Sequence, residues 1–178
     1  MTLQQAQQNM DHAYLGGGPG VLVSGLVWGI AAIVAAVSTP FTSMLTLFFG
    51  GMLIHPLGMV LAKVFKRSGM HQPDNPLAKL AFESTVILFV GLFIAFYVAN
   101  INISLFYPIM LLTIGVRYLT FQTLYGNRIY WLLGAVLMAG GVACMVMQAP
   151  FITGVVLGSV TEIVFGLLII VKAKQANM

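Results

Sequence analysis

Six apolar runs, each close to the ~20 residues that a bilayer crossing requires, leave this chain few ways to fold. They cover roughly 20–37, 41–64, 77–99, 103–124, 129–147 and 151–171. Inside lipid the backbone must satisfy its own hydrogen bonds, and runs of this length do so as helices. Composition agrees: 7% of the 178 residues are charged and mean hydropathy is +0.98. A soluble domain carries ~25% charged residues, so this chain cannot coat a water-exposed surface. The sequence predicts an all-α fold: a polytopic transmembrane bundle of six helices, one integral membrane domain over 1–178. Residues 1–19 form a surface helix or tail ahead of it.

The basic residues set the expected topology. Lys63, Lys66, Arg67 and Lys79 flank the second loop, Arg128 lies in the fourth, and Lys172 and Lys174 follow the last run. The first, third and fifth loops hold no Lys or Arg. Positive charge stays on the cytoplasmic side, so both termini are expected there, in a multi-pass protein of the plasma (inner) membrane. Every basic residue except Arg117 fits. Before the first run, Leu3, Ala6, Met10 and Ala13 recur at helical spacing among Gln and Asn, as in a weakly amphipathic surface helix. Gly16, Gly17, Gly18, Pro19 and Gly20 then form a hinge. In the second loop Asn75 is placed to cap the third helix with Pro76 at its first position, while His71 and Asp74 read as solvated. Val90 to Ile94 in the third run echoes Phe165 to Ile169 in the sixth. Those two runs point in opposite directions, which raises a 3+3 inverted repeat as an alternative organisation.

The last run carries the main chemical clue. Gly154, Gly158, Glu162 and Gly166 recur every fourth residue and so share one helix face. Glycines admit a close neighbouring backbone, so Glu162 should point into a packed interface. An ionised carboxylate there costs several kcal/mol on the cautious scales, and a partner, a cavity or a proton must offset it.

Four ionisable side chains fall within the runs: His55, Glu83, Arg117 and Glu162. Measured from the basic ends at the helical rise, His55 lies about 12 Å deep, Arg117 about 16 Å, Glu162 about 15 Å and Glu83 about 6 Å. Arg117 needs an acceptor and Glu162 is the carboxylate nearest in depth, so an Arg117–Glu162 pair is expected. Glu83 either pairs with Lys79 one turn away or joins the centre. His55 precedes Pro56, which removes a backbone hydrogen bond and should kink the helix. Gly51, His55, Gly58 and Ala62 are expected on the close-packed face, with His55 a proton relay or a structural residue. Thr113, Arg117 and Thr120 should turn the fourth span toward the sixth. Tyr97, Tyr107, Tyr125, Tyr130 and Trp131 read as interfacial belts.

Several classes are set aside. Cys144 stands alone, so no intrachain disulfide forms, and His12, His55 and His71 match no zinc spacing. No metal and no cofactor is expected. No basic cluster with interleaved aromatics supports nucleic-acid binding. Gly-x-Ser-x-Gly, His-Glu-x-x-His and an aspartate dyad are all missing, so an enzyme is not expected.

The segment Gly50-Gly51-Met52-Leu53-Ile54-His55-Pro56-Leu57, together with Arg117 in the fourth span, resembles small uncharacterised bacterial integral membrane proteins grouped as a domain of unknown function. The resemblance spans most of the chain and implies no substrate. From the residues, the first reading is a small transporter or permease with a central polar site of Glu162, Arg117, His55 and Glu83. It would be proton-linked and act on a small molecule or ion. Six short helices barely enclose a path, which favours a homo-oligomer in the lipid bilayer. The second reading is a membrane accessory or sensor protein whose charges are structural, and the third is an intramembrane lipid-acting enzyme. A water-filled cavity reaching Glu162 would mark the first, a dry paired cluster the second, and a nucleophile or metal open to lipid the third.

Overall fold

The computed structural model describes residues 1–175, which form helices and no strand. Helix α1 spans Leu3–Tyr14 and is followed by a 3-10 turn at Leu15–Gly17. Six helices long and apolar enough to cross a membrane follow: α2 Gly18–Val37, α3 Pro40–Val64, α4 Leu77–Ala99, α5 Phe106–Tyr125, α6 Ile129–Val146 and α7 Phe151–Gln175. The fourth run starts with a separate 3-10 turn, Ile103–Leu105, whose first residue follows an Asn102 side-chain cap on Ser104. Pro108 therefore sits in the first turn of α5, where its missing N–H costs nothing.

The close seam is between α2 and α7. It runs antiparallel: Leu22 lies by Gly166, Gly25 by Ile163 and Trp28 by Gly158. A Cβ on Gly25 would stand 2.7 Å from the Ile163 nitrogen, and one on Gly166 would stand 2.7 Å from the Leu22 nitrogen. Backbones can approach this far only where no side chain intervenes. The Ser159 hydroxyl donates across the seam to the Gly25 carbonyl at 2.9 Å. Gly154, the next glycine of the stripe, turns to Tyr107 on α5.

α5 and α6 form the second large interface, α3 leans on α2, and α4 leans on α5. α3 and α4 touch through an edge-to-face Phe48–Phe96 contact. Ser43 on α3 donates to the Ala31 carbonyl of α2, so the Tyr107 hydroxyl that meets Ser43 donates to it. This chain of hydroxyls ties three helices together beside the buried ring of Trp28.

α1 is a fitted part of the molecule. Thr2 and Gln5 close a capping box at its start. Its apolar face, Ala6, Met10 and Ala13, is buried against protein rather than lipid. Asn75 donates to the Ala6 carbonyl and to Asn9, Gln72 donates through its backbone to Asn9, and Gly69 donates to the Ala13 carbonyl. Gln7 donates to the Thr123 carbonyl at the end of α5. The same Asn75 accepts from the Leu77 N–H at 2.9 Å at the start of α4, whose bounds are those expected, although Pro76 stands just before the first helical residue and not at it. His71 is not simply solvated, because its Nδ1 meets the Tyr14 hydroxyl at 2.8 Å. Asp74 is exposed, as expected.

Two other expectations change. Tyr107 and Tyr130 are fully buried and Tyr125 packs on Tyr130, so these are core aromatics, while Tyr97 and Trp131 remain exposed. Gly51 has open space beside it, whereas Gly58 packs on Gly20. Pro56 lies inside α3.

Candidate functional site

Glu162 lies in α7 with 0% of its surface exposed. Its neighbours follow from the seam. Gly25 brings the α2 backbone onto the Glu162–Ile163 peptide, which places Ser24 of α2 within interaction range of the carboxyl. From the other side α5 presents Tyr118, whose hydroxyl donates to Glu162 Oε1 at 2.7 Å. By distance and angle Oε2 has no hydrogen-bond partner among the described residues. The carboxyl thus sits at the junction of α2, α5 and α7, held by a phenol and flanked by a serine.

Tyr118 is itself supported by a stack. Its ring lies on Tyr130 of α6 (centroids 5.9 Å, planes 26° apart), and Tyr130 lies on Tyr125 (5.6 Å, 24°). The Tyr130 hydroxyl donates to the Gly16 carbonyl. That carbonyl belongs to the turn before α2, where Leu15, Gly16 and Gly17 all adopt left-handed backbone, at φ 51°, 64° and 77°. Any side chain on Gly17 would strike the Tyr130 hydroxyl and the Tyr125 ring. The aromatic stack therefore fills the space between Glu162 and the N-terminal turn at the basic end of the bundle.

The expected Arg117–Glu162 pair does not form. No Arg117 nitrogen comes within 4.0 Å of the Glu162 carboxyl; Nε of Arg117 instead donates to Ser84 Oγ on α4 at 3.4 Å. Arg117 and Tyr118 are consecutive, so they point about 100° apart on α5. The turn that faces Tyr118 to α7 aims Arg117 at α4. Depth could have revealed this: Tyr118 precedes Arg128 by ten residues (128 − 118) and Glu162 precedes Lys172 by ten (172 − 162). Of the missed partners, Ser24 carried a weaker signal, as one small polar residue among several on α2.

The other two ionisable residues stand apart. His55 is exposed on α3 and Glu83 is exposed on α4. Lys79 and Glu83 make no ion pair at 4.0 Å or less. The only members of the expected α3 face that are buried are Gly58 and Ala62. Two surface grooves stand out among the described residues. One is lined by Asn102, Ser104, Cys144 and Gln148 at the end away from the basic residues. The other is an apolar crease between α2 and α3 lined by Val23, Leu26, Leu57 and Val60. Neither includes Glu162. No group of three or more His, Cys, Asp or Glu among the described residues could hold a metal.

Comparison with known proteins gives one result. No curated protein and no solved structure matches the chain. A family model matches residues 3–172, nearly the whole of the helical bundle, and the chain belongs to that family, described as a family of unknown function (DUF7010).

Proposed function

We propose that this protein is a small membrane carrier in which Glu162 takes up and releases a proton as α2, α5 and α7 rearrange. The observation that carries the reading is the enclosure of Glu162: no exposed surface, one hydroxyl donor, and a second oxygen without a partner. An ionised carboxylate with a single hydrogen bond and no cation in contact is expensive inside a protein. A proton removes the charge and gives the second oxygen a hydrogen to donate. Reaching that proton requires the helices to part. The glycine seam suits such movement, because backbones that meet without interlocking side chains can slide. By the positive-inside argument the basic end faces the cytoplasm, and copies would associate through α3 and α4, which carry the exposed His55 and Glu83.

The test compares the wild type with Glu162→Gln, purified in a neutral detergent. The wild type should show a carboxylic-acid C=O infrared band whose intensity changes with pH, absent in the variant. A pH-resolved thermal-stability screen of small solutes should yield ligands that stabilise the wild type alone, since selective binding to the folded state raises apparent stability. A pH-insensitive band and an empty screen would instead support a non-catalytic accessory protein. The observation favouring that second reading is that neither groove reaches Glu162.

A further inference from the structure

Arg117 is the other ionisable group inside the bundle, and no carboxylate among the described residues pairs with it. A guanidinium keeps its charge at any ordinary pH and offers five N–H donors in a planar fork. Here only Nε is used, in a long bond to a Ser84 hydroxyl that itself donates to the Ala81 carbonyl. The Phe121 ring lies 5.1 Å from the guanidinium carbon and supports one of its faces. Among the described residues no carboxylate lies within 4.0 Å. The four terminal N–H donors have no hydrogen-bond partner among the described residues, yet their nitrogens are not among the sealed, unpartnered atoms of the core. Arg117 is half-buried at the α4–α5 seam. Glu83, next to Ser84 in sequence, is turned outward and exposed.

Position adds to chemistry. Arg117 is eight residues from Tyr125 and Ser84 is seven from Leu77, so both lie about 10–12 Å inside the basic ends of their helices. A long cationic side chain at that depth extends toward the nearer headgroups. A fork of unshared donors matches two oxygens of a tetrahedral anion better than any single acceptor.

We propose that Arg117, positioned by Ser84, binds a phosphate-type oxyanion at the α4–α5 seam. The same chemistry is supplied by the headgroup of an anionic phospholipid or by free phosphate. The site goes beyond the carrier reading and does not need Glu162 to titrate.

The test uses the full chain in phosphatidylcholine nanodiscs. Inorganic phosphate is titrated against chloride at constant ionic strength, with melting temperature as the readout. In a second arm, phosphatidylglycerol is added to the discs and retained lipid is counted by native mass spectrometry. At least one probe should bind the wild type, weaken by about tenfold or more in Arg117→Gln, and weaken less in Ser84→Ala. The arm that responds identifies the source. Glu162→Gln should bind like the wild type, so failure here is distinct from failure of the carrier reading. The proposal is overturned if the wild type prefers neither probe over chloride or phosphatidylcholine. It is equally overturned if Arg117→Gln binds the preferred probe as the wild type does. The wild-type comparison stands even where the arginine variant does not fold.

Discussion

Among the described residues Tyr118 supplies the one hydrogen bond that the Glu162 carboxyl accepts, at 2.7 Å, and both groups are shut away from the surface. Removing the phenol oxygen should therefore leave a buried acceptor with no donor. Tyr118→Phe is expected to lower stability by about 1–3 kcal/mol, read as a fall in melting temperature. In a double-mutant cycle with Glu162→Gln the two losses should be less than additive, because both act on one bond. Strict additivity would show that the bond contributes nothing. Glu162 itself was readable from the sequence, because glycines at fourth-residue spacing put it on a packing face. Its partner was not, because charge complementarity favours Arg117 while helical phase favours the next residue. His55 shows the same limit. α2 meets α3 at Gly50 and Gly58, and His55 is about 140° from the first and about 60° from the second. It therefore stays outside the contact although it lies between them in sequence.

At the scale of elements, the six apolar helices were legible because run length alone decides them in a bilayer. The docking of α1 was not. Ala6, Met10 and Ala13 form a thin apolar stripe that suits a membrane surface as well as a protein groove. What selects the groove is the polar set of Gln7, Asn9 and Asn75, whose partners lie 63 to 116 residues away. Asn75 carries most of that fastening, since its amide holds α1 while its carbonyl oxygen caps α4. Asn75→Ala should weaken α1 docking by about 1–3 kcal/mol. Limited proteolysis within residues 3–14 should then speed up severalfold while α2 to α7 remain intact. Unchanged cleavage would place the hold on α1 elsewhere, in the Gln7 and Gly69 contacts.

For the molecule as a whole, the arrangement of charge leads to a prediction about orientation. Ser68 lies in the basic loop between α3 and α4, Gln148 lies in the loop between α6 and α7, and both are exposed. In a Cys144→Ser background, a membrane-impermeant maleimide applied to right-side-out vesicles should label Gln148→Cys and spare Ser68→Cys. The opposite pattern would reverse the proposed topology. The seam between α2 and α7 has a further meaning for how the protein is made. Ser159 and Gly25 are joined across 134 residues of chain. The first spanning helix therefore enters the bilayer long before the helix that fits it has been synthesised. Until then the notch at Ser24, Gly25 and Trp28 has no native cover and must wait against lipid or the insertion machinery. The seam closes only when α7 arrives, so a chain halted before Phe151 would lack the seam on which the other described helices are arranged.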